Sequence, residues 1–179
     1  TGFWSSGIYS RYVSIVDEAQ KTSDYRQAAE QLQSVINADP KLSLYSMQQA
    51  FLYGMAASAG DAEAARAGVA AYENFIVLDP GYAVVWANLA ALRWQLGERE
   101  LAVEAMQQAA KLDSVNWQYP VNLGRYAEAM GDAITANSAY RRALTLYPDS
   151  GLYTELRSFV TANPDALDRL RMTIPAQTT

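Results

Sequence analysis

The chain contains no cysteine and no histidine. The first absence excludes disulfides and thiol chemistry and leaves the redox state of the compartment unreadable. The second removes the usual neutral-pH general base, and together they remove Cys/His zinc sites and Ser-His-Asp triads. No uninterrupted apolar stretch reaches the roughly 20 residues that a bilayer-spanning helix needs. Basic clusters are scarce too. The net charge is −5, and the densest groups, Arg141-Arg142 and Arg169 with Arg171, lie beside acids. A nucleic-acid partner, which needs clustered Lys and Arg, is therefore not expected. The chain begins at Thr1 with no basic start and apolar run of the signal-peptide kind, so it reads as a processed form or a piece of something longer.

What is present is ordinary in bulk. The 179 residues are 50% hydrophobic and 18% charged, enough for one domain with a sizeable core or for one short repeat array. The order within them decides between the two. Sliding the chain by 34 residues superposes Leu89 on Leu123, Ala90 on Gly124, Gly97 on Gly131, Ala102 on Ala136, Met106 on Tyr140 and Ala109 on Ala143. Small residues recur where two helix backbones must approach closely, and large ones recur in the gaps between helix pairs. Trp86, Leu89 and Leu92 share one face of a first helix, Gly97 ends it, and Ala102, Met106 and Ala109 line the second. Pro40, Pro80 and Pro148 each close a unit just past a second helix. Pro40 and Pro80 are 40 residues apart, so this unit holds an insertion, expected in "ASAGDAEAARAG" as an extended turn starting at Gly60-Asp61.

These residues carry a resemblance to the tetratricopeptide repeat (TPR), whose pattern runs W-x2-L-G-x2-Y, then A-x3-F, then A and P. Trp86-x2-Leu89-Ala90, Leu123-Gly124, Ala102-x3-Met106 and Ala136-x3-Tyr140 are the matching blocks. Val16 in the first unit's small slot, Pro120 in place of the fourth tryptophan and Ser114 in place of a closing proline depart from it. The resemblance implies an all-α fold, a right-handed α-α superhelix (solenoid) of about four helix pairs. The units fall at about 9–42, 43–82, 83–116 and 117–150, within a single array over 1–172. Capping helices follow at about 151–172, the second starting at Asn163-Pro164, and the tail 173–179 has no periodicity and is expected to be disordered.

The same resemblance implies a concave face, lined by the first helices, that binds a partner's peptide or helix. Carried over by register, its candidates are Leu44, Met47, Phe51, Val84, Trp94, Val121, Arg125 and Glu128. The centre of this face is apolar and aromatic and its ends are polar, the composition of a recognition hot spot. The carboxylate clamp with which some family members hold acidic C-termini is missing, since its slots contain Val13, Asp17, Phe51 and Val84. No cofactor and no catalytic group is implied. Glu98 with Glu100 and Asp165 with Asp168 fall on turns or first helical turns, where acids favour the helix dipole. Arg141-Arg142 reads as a solvated face of an outer helix.

The function expected is thus a non-catalytic protein-interaction scaffold. A purely structural, self-associating array is an alternative. Another is a soluble appendage of a membrane-bound glycan enzyme. The longer second unit with "GDAEAA", followed by "YPVNLGRYAEAMGD", is similar to TPR segments trailing O-antigen ligase or polymerase-type proteins. The start "TGFWSSGIYSRY" suits either a chain leaving a bilayer or a first helix packing Phe3, Trp4, Tyr9 and Tyr12 on the array.

Overall fold

The computed structural model describes residues 2–148 and 153–163. Every regular element among them is an α-helix. In chain order these are α1 (Gly2–Thr22), α2 (Tyr25–Ala38), α3 (Ser43–Ser58), α4 (Ala62–Leu78), α5 (Ala83–Gln95), α6 (Arg99–Leu112), α7 (Gln118–Ala129), α8 (Ala133–Leu146) and α9 (Tyr153–Ala162). The chain divides into two units, Thr1–Glu98 and Arg99–Thr179. The first helix of the third expected repeat therefore belongs to unit 1, and its second helix to unit 2. The side chains of Phe3 and Trp4, the second capping helix from Pro164 and the tail 173–179 lie outside the described residues.

In unit 1 each helix packs on the one before it. The tight turns of the α1/α2, α3/α4 and α7/α8 hairpins share one construction: a residue with positive φ, then an aspartate that caps the next helix. The turn residues are Ser23 (φ 59°), Gly60 (102°) and Gly131 (77°). The carboxylates of Asp24, Asp61 and Asp132 then accept hydrogen bonds from the backbone N–H groups of Gln27, of Glu63 and Ala64, and of Thr135. At the other end of the α1/α2 and α3/α4 hairpins a proline follows an extended residue, Asp39 at φ −142° and Asp79 at φ −149°, because the proline ring excludes the helical conformation there. Trp86 secures this end, its indole N–H donating to the Pro80 carbonyl at 2.9 Å.

Helix α1 is one 21-residue helix from Gly2, so the aromatic start is helical and continuous with it. One expectation needs correction: the insertion of the second unit is not an extended turn. Helices α3 and α4 are 16 and 17 residues long against 13 and 14 for α5 and α6, three more in each. The added residues lie at the tight-turn end. Buried Tyr45, Gln49, Ala50 and Leu52 recur at the same spacing as Val85, Leu89, Ala90 and Leu92, and buried Ala56 and Ala57 are extra. On the return helix, Gly68, Ala71, Tyr72 and Phe75 recur as Ala102, Ala105, Met106 and Ala109, and buried Ala64 and Ala65 are extra. Four alanines, the strongest helix formers, thus extend both helices by nearly one turn and pack in the added interface.

In unit 2, α7, α8 and α9 enclose a core of Val121, Ala127, Ala136, Tyr140, Ala143 and Leu156. Tyr140 lies directly on the backbone of α7, where a Cβ added to Gly124 would fall 2.2 Å from its ring. Helix α9 is tied down by Asn137, which is fully buried and donates to the Asn163 carbonyl at 2.8 Å.

Gly124→Ala is expected to cost about 1–3 kcal/mol, since its Cβ must displace a buried ring. Ser23→Gly should instead stabilise the chain by about 0.5–1 kcal/mol by relieving the left-handed backbone. Urea unfolding of the two variants beside wild type checks both signs.

Candidate functional site

The eight residues placed by register divide between the units, five in unit 1 and three in unit 2. On α3, Leu44, Met47 and Phe51 are all half-buried; on α5, Val84 is 41% exposed at one end and Trp94 half-buried at the other. In unit 2, Arg125 and Glu128 are exposed on α7. Val121 is a correction: at 3% exposure it belongs to the unit 2 core rather than to an open face.

Of the unit 1 residues, Phe51 opens onto a cleft of about 280 Å³ between α3 and α5. Phe51, Gly54, Met55 and Ser58 form its α3 wall, at the i, i+3, i+4 and i+7 spacing of one helix face. Asn88, Ala91 and Leu92 form its α5 wall, and Tyr72 of α4 its floor. The Tyr72 ring meets Phe51 edge-on, with centroids 6.1 Å apart and planes at 82°. Its hydroxyl is hydrogen-bonded with the Asn88 side chain. Near the same end, Gln95 donates to the Ala57 carbonyl at 3.0 Å and joins α5 to the lengthened part of α3.

The cleft exists because of Gly54. Counted from the start of each helix, Gly54 occupies on α3 the position that Trp94 occupies on α5. A Cβ at Gly54 would stand 3.5 Å from the Tyr72 hydroxyl, so any longer side chain would enter the space that is now open. The corresponding hairpin of unit 2 is filled instead. There Glu128 takes the position of Gly54, and its carboxylate accepts a hydrogen bond from Tyr140, the counterpart of Tyr72, at 2.6 Å. A tyrosine hydroxyl satisfied within its own hairpin in unit 2 reaches in unit 1 to the next helix, and the acid's place is left empty.

The lining is mostly apolar, with Met55 50% exposed at the rim, and its polar groups are few: the Ser58 hydroxyl, the Tyr72 hydroxyl and the Asn88 amide. A surface of this kind suits an apolar side chain oriented by one or two hydrogen bonds. It holds no group suited to acid–base chemistry, because burial pushes the Tyr72 phenol well above its ordinary value. Glu98 lies on a turn, 3.9 Å from Arg93, and Glu100 in the first turn of α6. Among the described residues no group of three or more His, Cys, Asp or Glu side chains is placed to hold a metal ion.

Sequence register found Phe51 but missed Met55, Ser58, Asn88, Leu92 and Tyr72. Gly54 was the available signal. It is the position where one repeat lacks the bulk its neighbours carry, and the residues around it on both helices follow from helical spacing.

Known proteins compare as follows. Residues 83–116 match the family model of the tetratricopeptide repeat, the same bounds as the third unit of the 34-residue register. No curated protein sequence matches the chain. A crystal structure of MamA protein is 20% identical, with a TM-score of 0.70 over 97% of this chain and 98% of that one. A tetratricopeptide repeat protein from Parabacteroides merdae is 15% identical, with a TM-score of 0.72 over 90% of this chain and 64% of that one. The Yersinia enterocolitica type III secretion chaperone SycD, in complex with a peptide of the translocator YopD, is 19% identical, with a TM-score of 0.50 over 67% of this chain and 89% of that one. The fold class is an all-α helical-repeat solenoid. The narrower likeness to segments of O-antigen ligase or polymerase-type proteins finds no support in these comparisons. Among the described residues no helix is long and apolar enough to cross a membrane.

Alkaline titration reports on the cleft floor. Burial raises the folded-state value of Tyr72 above its unfolded value of about 10, so the neutral phenol's contribution is complete below that pH. It is lost as pH rises toward the folded-state value. The Tm of wild type should therefore fall above about pH 10, and Tyr72→Phe should flatten the fall.

Proposed function

We propose that the chain is a non-catalytic protein-interaction scaffold and that the α3/α5 cleft of unit 1 receives an apolar side chain of a partner segment. The observation that carries this reading is the cleft at Gly54, open where the corresponding helices carry Trp94 and Glu128, with Tyr72 at its floor and Asn88 on its α5 wall. Leu44, Met47 and Phe51 continue the α3 surface, and Val84 and Trp94 the α5 surface, so the partner segment lies along these two helices with its anchor in the cleft. In unit 2, Arg125 and Glu128 offer polar contacts of their own. The SycD complex supports the reading by class, as a protein of similar fold with a peptide bound.

The cleft binds by shape and desolvation more than by charge. Its rim residue Met55 is unbranched and adapts to different apolar side chains. The Asn88 amide keeps hydrogen-bonding capacity beyond its bond with Tyr72 and suits a backbone carbonyl or N–H of the partner.

The test is a photo-crosslinking amino acid at Met55 in cells that express the protein, followed by affinity measurement on whatever it captures. Gly54→Leu fills the cleft while replacing a helix-interior glycine, so helicity and Tm should hold or rise by the equivalent of about 0.8 kcal/mol. Affinity for the captured partner should fall about tenfold or more. Unchanged affinity with the cleft filled would sink the proposal.

A further inference from the structure

A second cleft, of about 320 Å³, lies in unit 2 on the outer helices α6 and α8, above the start of α7. Its floor is Pro120, Leu123, Ile134 and Ala139. Like the first, it is open because one residue is too small. At the register position of Ala110 on α6, the other three hairpins carry Ile36, Ile76 and Leu144. Ile36 and Leu144 are partly buried and pack against the cores of their own units. Ala110 leaves that volume to solvent, and the apolar floor beneath it is accessible.

The rim identifies the chemistry that fits. Arg142 stands at the mouth, beside Ser138 and Gln107. The other arginines in the ion pairs of the described residues are committed to acids: Arg26 to Glu30, Asp61 and Glu63, and Arg93 to Glu73 and Glu98. Arg142 forms no ion pair among the described residues. One guanidinium nitrogen donates to the Ser114 carbonyl at 2.9 Å, which fixes the head group at the cleft while most of its five donors stay available. A planar cation held beside an apolar depression matches a carboxylate bidentately and an aliphatic or aromatic side chain next to it. Arg141 and Arg142 are both exposed, in keeping with the solvated face expected there, and Arg142 also stands at the mouth of this cleft.

We propose that this outer cleft docks a segment of a protein partner that presents an aliphatic or aromatic side chain within a few residues of an Asp or Glu. The site belongs to the second helices of the repeats. It is separate from the α3/α5 surface and stands whether or not that surface binds.

The experiment is selection of a random 12-residue phage-displayed peptide library on the immobilised full chain, with the Ala110→Ile variant as counter-selection. Isoleucine already fills this position in two of the protein's own hairpins, and circular dichroism of the variant establishes that it folds. The selection is expected to enrich peptides that pair an acid with a large apolar residue. Their affinity should drop about tenfold for Ala110→Ile. It should drop about fivefold for Arg142→Gln, which keeps a hydrogen-bond donor, is confined to the rim and removes only the charge. Enriched peptides without acids, binding that either variant leaves unchanged, or no enrichment over the counter-selected variant would each overturn the proposal.

Discussion

A large ring buried between two antiparallel helices must still find a partner for its polar end, and where it finds one decides what is left open beside it. That constraint organises both units. In unit 2, Tyr140 rests on the bare backbone at Gly124 and spends its hydroxyl on Glu128 of the same hairpin. In unit 1, Tyr72 faces Gly54 and spends its hydroxyl on Asn88 of the following helix. The first arrangement closes a hairpin on itself. The second joins a hairpin to its successor and leaves vacant the space the acid would have filled. Core packing and the cleft thus meet at the same ring, because the tyrosine that fills the hairpin's interior is also the floor of the open space at Gly54.

The helix pairs were legible in the sequence because their cause is local. Alternation of Ala90 or Gly124 with Leu89 or Leu123, a glycine at the turn and a proline past the second helix each report one backbone conformation or one close approach, and each repeats. The insertion was legible in place but not in form. Gly60-Asp61 looks like the start of an extended loop, yet the alanines on both sides prefer helix, and the turn that remains is as short as in the α5/α6 and α7/α8 hairpins. Ser23 shows the same logic from the other side, since it sits in a left-handed turn position where glycine stands in three later hairpins.

The candidate sites were harder to read because they depend on which helices meet. Phe51 could be placed on an exposed face from register alone. Asn88 and Leu92 join it only because α5 lies against α3 and α4, and no periodicity within one helix reports that. Val121 misleads for the opposite reason. It joins a core cluster that takes in Ala127 of its own helix, Tyr140 of α8 and Leu156 of α9, a meeting of three helices that its position on one helix does not report. Absences proved more informative than presences: Gly54 and Ala110 each lack the bulk found at their counterparts, and each underlies a cleft. Arg142 adds what the sequence alone does not report, since its guanidinium is held to the Ser114 carbonyl beside the cleft at Ala110.

The three residues added to each of α3 and α4 sit at the tight-turn end, while the buried pattern counted from the proline loops is unchanged. The fold thus keeps its ruler at one edge. In unit 1 the spacing between successive hairpins is set where Pro40 and Pro80 are, and hairpin length is set independently at the opposite edge. Because the two are uncoupled, such an array can vary rung by rung in depth without losing step. Insertions arriving as matched lengths on the two strokes of a hairpin leave every neighbour in register, which gives a repeat protein a free dimension in which its individual units can diverge.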